Sequence, residues 1–411
     1  MRNLNTKSLL YCFVIASVIF SWVFIISCEP SGNKQRSTLS QDTIALTKHW
    51  ELAIPNQSVP EGLQTIRAQE CGTCHVEIFK EWEQSIHRVA FQDPQFQSEW
   101  KKDDVYVCLN CHTPLQNQQE FIVTGLINGD HKTPVTQVNK EFDEILKHES
   151  ITCATCHVRD GAVIGTKGHP DSPHSVKVDL VFLSEQICLS CHNVSDELNV
   201  SLVCTFETGN EWMKTSWKEQ GFNCISCHMP IVKRSISENG KEYESHRHHF
   251  PGSGIPKFAD MEIEGLQGLE MKGGEISDKY QTGDTLDYVL WIRNTYAGHN
   301  LPSGDPERFY LIDFKLLNSA GEVLDSTQFR IGEEWQWYPV AKKIADNNIK
   351  SKEDREYHYS TILKQEGAMY FLAEITKHRI TKENAEYNKL PADYPRFITI
   401  FSEKQSFKVN P

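Results

Sequence analysis

Ten cysteines and five histidines of this 411-residue chain fall into one repeated pattern, Cys-x-x-Cys-His. The copies are Cys71, Cys74 and His75; Cys108, Cys111 and His112; Cys153, Cys156 and His157; Cys188, Cys191 and His192; and Cys224, Cys227 and His228. Two thiols three residues apart can both form thioethers with one haem, and the adjacent imidazole can then reach its iron, so each copy is an attachment signal for a c-type haem. With 13 Cys and 17 His in the chain, random placement would give roughly 0.02 such pentapeptides. Repeated Cys-x-x-Cys pairs also build zinc sites, but those need no His after every pair, and four ligands from two pairs would leave a fifth pair unused. The cofactor expectation is five covalently attached haem c groups with His75, His112, His157, His192 and His228 as proximal ligands.

Six-coordinate irons would need a second ligand each. Twelve His lie outside the motifs, whereas Met is scarce at six, so paired imidazoles are the expected ligation, which keeps potentials low. The candidates are His87, His131, His174, His249 and His299, with His148, His169, His246 and His248 as alternatives. A helix from His75 to His87 would hold the two roughly 18 Å apart, so His87 is assigned to a neighbouring haem. His174 and His249 sit in loops beside Pro and Gly, where a ring can be aimed.

The first cysteines of successive motifs are 37, 45, 35 and 36 residues apart. That is too little chain to build a conventional core for each unit, so the macrocycles must form much of the core. Short helices are expected, with helical apolar spacing over 76–91 (Ile78, Phe79, Trp82, Ile86) and 211–220 (Trp212, Met213, Trp217).

The first motif continues as Ile78, Phe79, Trp82, Ser85, His87 and Ala90. This run, with the stretch from Ile151 to Gly161 and with Glu211-Trp212 followed by Gln220-Gly221 and Cys224 to Pro230, resembles the family typified by the tetrahaem electron carrier cytochrome c-554 and related multihaem cytochromes. The resemblance covers about half the chain and implies electron transfer; the fifth motif and a long C-terminal extension depart from the tetrahaem pattern.

The N-terminus has Arg2 and Lys7, an uncharged run from Leu9 to Ile26, and then Ser27-Cys28. This pattern resembles a lipoprotein leader, with Cys28 as the lipidated residue; an uncleaved membrane anchor is the other reading. Either way the remainder is exported. Cys12 lies in the leader and Cys204 alone is left over, so no disulfide framework is expected. The formal net charge is −13, and loss of Arg2 and Lys7 makes the mature chain more negative. That disfavours nucleic acid as a partner and suits docking of proteins with basic patches.

Past about residue 257 cysteine vanishes and period-2 alternation begins, as in Ile312, Phe314 and Leu316, with a hairpin signal at 318–321. The fold expectation is therefore multidomain: signal peptide 1–27, polar tether 28–61, a mostly α and irregular pentahaem cytochrome c domain 62–256, and an all-β immunoglobulin-like sandwich 257–411. The stretch from Gly298 through His299 and Pro302 to Gly304 resembles turns in β domains of multihaem cytochromes, and presents one imidazole outward. The functional expectation is an electron carrier rather than a catalyst. It would be membrane-anchored in the cell envelope through its lipid and would face the periplasm or cell surface. Its partners would be other redox proteins such as a quinol dehydrogenase, a reductase or envelope cytochromes. The alternatives are an oxidoreductase acting on a small nitrogen or sulfur oxyanion at one open haem, and a docking subunit of a larger redox complex.

Overall fold

The computed structural model describes residues 42–168, 172–199, 202–237 and 240–411. The leader, Cys28 and His169 lie outside the described residues. Among those described, no helix is long and apolar enough to cross a membrane.

Up to about residue 266 the chain alternates short helices with ribbons of two or three strands. Each helix expected from apolar spacing breaks in two: Val76–Glu83 and Ile86–Val89, and Thr208–Met213 and Ser216–Glu219. A hydroxyl residue causes each break by competing with the backbone. Ser85 is extended; its Oγ donates to the Trp82 carbonyl at 2.7 Å and caps the next helix through the Arg88 N–H at 3.4 Å. Thr215 is likewise extended and donates to the Trp212 carbonyl at 2.9 Å. The first break swings His87 off the axis of the helix that follows His75. Apolar packing here is confined to small groups, one around Trp50, Val105 and Leu126 and another around Leu115, Leu146 and Ala154.

His131 belongs to the first of these groups. Its ring lies over Trp50, 5.3 Å between centroids, and its Nε2 is 3.0 Å from Glu51 Oε1. Burial works against ionisation of Glu51, but the Lys48 and Thr47 N–H groups and His131 outweigh it and hold its carboxyl below the usual range. His131→Ala is expected to cost roughly 1–3 kcal/mol by leaving buried Glu51 short of a partner. Denaturant unfolding would read this loss, with the visible spectrum unchanged.

The C-terminal part has nine strands: β1 Leu269–Gly273, β2 Lys279–Gln281, β3 Thr285–Asn294, β4 Phe309–Asn318, β5 Val323–Gln336, β6 Lys342–Asp346, β7 Asp354–Ile362, β8 Gly367–His378 and β9 Phe397–Asn410. They form two sheets, β1-β3-β7 and β2-β9-β8-β4-β5-β6, antiparallel except for the β2–β9 pair. Alternate residues of β3, from Leu286 to Ile292, are buried against Ile312, Phe314, Phe371 and Ile375 of the facing sheet. Each such side chain contributes about 1.5–3 kcal/mol by leaving water. At the β4–β5 hairpin, Asn318 Oδ1 accepts the Ala320 and Glu322 N–H groups at 3.0 and 2.9 Å, and Gly321 supplies a φ of +84°.

This β region packs directly on the motif-bearing region. Helix Pro94–Asp103 is held by Ser98 Oγ donating to the Asn388 carbonyl at 2.7 Å, and its N-cap Asp93 accepts the Tyr394 hydroxyl at 2.9 Å.

Candidate haem-attachment sites

All five motif cysteine pairs lie on a short helix or at its end, the second on Leu109–His112 with Cys108 as its N-cap. Ala68–Gly72 carries Cys71, Cys153–His157 and Cys224–His228 are themselves helices, and Glu185–His192 ends on the fourth motif. On a helix, positions i and i+3 share a face, so the two thiols of a motif point the same way. No described cysteine is in a disulfide.

Four of the five motif imidazoles are set in one tautomer by the backbone. Nδ1 of His75 donates to the Ile236 carbonyl, that of His112 to Ala90 at 2.7 Å, that of His157 to Ile164 at 2.9 Å and that of His228 to Pro251 at 2.6 Å. A carbonyl can only accept, so these rings carry their proton on Nδ1 and leave the Nε2 lone pair free, the state in which imidazole binds a metal. Burial, above all, pushes His112 and His192 down to about 4, and it also lowers His157.

Opposite four of these rings stands a second imidazole. Ring centroids are 6.4 Å apart for His75 and His174, 6.3 Å for His192 and His87, 6.2 Å for His157 and His248, and 6.4 Å for His228 and His299. Two imidazoles bound on opposite sides of one metal ion at about 2.0–2.1 Å would bring their ring centres to roughly 6 Å. Four pairs therefore have the spacing that an intervening iron requires, and with free Nε2 lone pairs and paired thiols the residues fit haem c. His248 Nδ1 also donates to a carbonyl, that of His246 at 2.9 Å, as does His299 Nδ1 to Asn300 at 2.8 Å. Burial, chiefly, pushes His87 and His248 down to about 3 and His299 to about 4, which keeps them neutral.

His112 is different. Its ring is stacked on Phe96 with centroids 3.7 Å apart and planes 9° off parallel, and among the described residues no imidazole faces it as in the other four pairs. The second motif is thus sided by a phenyl ring from helix Pro94–Asp103.

Of the second-ligand candidates, the structure places His87, His174 and His299 opposite a motif ring. His131 stands with Glu51, away from the motif rings. His249 lies 3.9 Å from both Glu81 and Glu264, and its neighbour His248 is the residue that faces His157. His148 instead bonds the Glu144 carbonyl at 3.0 Å through Nδ1, and His246 the Met229 carbonyl at 2.6 Å.

Carboxylates that sequence reasoning did not single out as site residues position two of the facing rings. Glu81 accepts the His248 N–H at 2.8 Å and pairs with Arg234 at 2.8 Å and Arg247 at 3.3 Å. Glu211 reaches into the 298–304 turn, accepting Asn300 N–H at 3.2 Å and Ser303 O–H at 2.7 Å, while Thr215 donates to the Gly298 carbonyl at 3.3 Å. A Cβ on Gly298 would stand 3.4 Å from Trp212 and 3.6 Å from Trp217, so the turn is seated against both indoles.

The motifs also adjoin one another. Cys71 and Cys153 lie close enough for each to shift the other's ionisation, as do Cys111 and Cys191, and Cys188 and Cys224. Cys156 lies close enough to Cys191 to feel its charge. In space the first motif therefore meets the third, the third approaches the fourth, and the fourth touches both the second and the fifth.

No family model matches the chain, and no curated protein matches it. Among solved structures, a penta-haem cytochrome c552 from Thermochromatium tepidum is similar with 15% identity and a TM-score of 0.59, covering 85% of this chain and 100% of that one. A CARDB domain from Pyrococcus furiosus matches at 12% identity over 34% of this chain and 85% of that chain; its TM-score of 0.19 carries no argument. By geometry and by this likeness the chain has the fold of a multihaem cytochrome c.

Proposed function

We propose that this protein is a pentahaem c-type cytochrome that carries electrons between other redox proteins of the cell envelope. The observation that carries this reading is the set of four motif imidazoles, each faced by a second His at 6.2–6.4 Å. Haem c supplies an iron that cycles between ferric and ferrous states. The chain's own contribution is to hold imidazoles in fixed pairs, so that ligation need not change as the charge does, and to bring the attachment segments close to one another. Paired imidazoles leave an iron no position for a substrate, which favours transfer over catalysis at those four sites. The order of the motifs makes the fourth a junction between the first–third branch and the second and fifth.

A second reading attaches to His112 alone. Among the described residues no second imidazole faces this ring, which gives the site the character of an open position, and a small nitrogen or sulfur oxyanion is the class of substrate that such a site would take. The acidic chain suits basic redox partners such as a quinol dehydrogenase, a reductase or envelope cytochromes. Export and anchoring through Cys28 rest on the leader alone, and the β region has the strand alternation of an immunoglobulin-like module.

Intact mass and ferric electron paramagnetic resonance test the reading. The mass should exceed the polypeptide by five haems, and the spectrum should hold four low-spin signals and a fifth, high-spin one. Four haems or fewer after full maturation would remove a motif, and more than one high-spin signal would break the paired-ligand assignment.

The adjacent pair His248 and His249 gives a sharper comparison. His248→Ala should convert one low-spin haem to high-spin, whereas His249→Ala should leave all signals in place because its Nδ1 accepts from Arg247 at 2.5 Å. The reverse pattern, seen in the same spectra, would reassign the third site.

A further inference from the structure

The face of the β region that meets the motif-bearing part carries cations that, among the described residues, form no direct ion pair. Arg308 directly precedes β4, and Arg379 directly follows β8. Tyr310 of β4 lies opposite Lys377 of β8. Residues two apart share a sheet face, so Arg308, Tyr310, Lys377 and Arg379 project together. Lys377 is 8% exposed and Arg379 4%. Arg308 is half-buried and directed at the space among the motifs, where both His192 and His299 feel its charge.

Each cation is met by neutral oxygen. Arg308 Nη1 donates to the Ser303 carbonyl at 3.0 Å, Lys377 Nζ to Ser253 at 2.9 Å, and Arg379 to the Tyr394 hydroxyl at 2.8 Å and the Ile255 carbonyl at 2.5 Å. Among the described residues none of the three forms an ion pair. The nearby carboxylate of Asp93 is already taken by Lys257 and Tyr394, and Asp305 acts on Arg308 at longer range. Burial lowers Arg308 and pushes Lys377 down to about 8. Enclosed charges without a direct ion-pair partner are costly, and here Asp93 and Asp305 act on the guanidinium groups only at longer range.

We propose that Arg308, Lys377 and Arg379 form an anion site at the junction of the two regions, shaped for carboxylate-type oxygens. A guanidinium fork takes such groups by two parallel hydrogen bonds, and two forks with one ammonium suit a pair of them. The proposal rests on the haem reading, since the anion has two sources of like chemistry: the carboxylates of bound haem, or a free small oxyanion admitted between the regions.

The holoprotein tests it through Arg308→Gln and Arg379→Gln, with haem count, midpoint potentials and an anion titration measured on each. With haem carboxylates as the anion, the count stays at the wild-type value and at least one midpoint falls without added anion. Loss of a unit charge about 10 Å away at an effective dielectric near 20 disfavours the reduced state roughly tenfold, about 59 mV for one electron. Arg308→Lys, which keeps the charge, should recover most of that shift. With a free oxyanion, nitrite, sulfite or phosphate should shift the wild-type spectrum saturably, and Arg308→Gln should abolish the response. Unchanged potentials together with no anion response in either variant would overturn the site. A wild-type count below five would instead strike the haem reading beneath it. Should Arg308→Gln fail to assemble, Arg379→Gln carries the same test.

Discussion

Replacing His299 with alanine is expected to turn one low-spin haem high-spin and to let it bind carbon monoxide when reduced, with the haem count unchanged. The ring stands 6.4 Å from that of His228 with planes 16° apart, and its Nδ1 donates to the Asn300 carbonyl, so the free Nε2 is the atom that would be lost. Its turn is gripped from the motif-bearing side by Glu211 and Thr215 and from its own side by Asn294, whose Nδ2 donates to the His299 carbonyl at 2.8 Å. None of these contacts uses the imidazole, whose own hydrogen bond within the turn is the one to Asn300, so truncation should empty the coordination position at the cost of that single bond. Glu211→Gln provides the contrast. The ring remains, but the acceptor for two donors is weakened, so the expected result is partial high-spin character rather than complete conversion. A His299→Ala protein with an unaltered spectrum would detach the β region from ligation.

Replacing His87 should have the broader consequence. His87 faces His192, the ring of the fourth motif, whose cysteines adjoin those of the second, third and fifth. Losing this ligand changes one site's coordination as its charge changes, and that rearrangement enters the barrier for every transfer through the junction. Each 1.4 kcal/mol added to the barrier is tenfold in rate, so stopped-flow reduction of His87→Ala should show a phase slowed about tenfold or more. The slowed fraction should comprise the haems beyond the junction from the point of entry. Uniform slowing of all five, or none, would mean that the fourth motif is not the crossing point.

The chemistry of this chain is local, and for that reason it was legible. Two thiols and an imidazole within five residues carry their own geometry, and His75, His112, His157, His192 and His228 need no tertiary information to be singled out. The β alternation of 285–294 and 309–318 is legible for the same reason, because a strand's faces repeat every second residue. The helix expectation over 76–91 missed the break at Ser85, where a single hydroxyl redirects the chain and with it His87.

The partner of each motif ring is a long-range question. His246, His248 and His249 lie within four residues, and the neighbouring Pro and Gly that favoured His249 do not decide which ring is aimed. His248 faces His157 because Glu81, 167 residues away, fixes its backbone N–H, and Phe250 takes a positive φ of 48° that turns the chain just beyond. His131, loop-borne and apparently available, is instead drawn to Glu51, 80 residues distant, in a small apolar cluster. The stacking of Phe96 on His112 depends on how helix Pro94–Asp103 is anchored by the β region at Asp93 and Ser98. Sequence alone therefore singled out where haem is expected to bond, since that depends on neighbours along the chain, whereas the strands that flank the motifs, such as Val194–Asn199, Leu202–Phe206 and Ile231–Ser235, departed from the mostly α expectation. Tertiary structure alone decided which ring meets which, the order in which the motifs touch, and where cations gather without direct ion pairs, because those depend on packing between segments far apart in sequence.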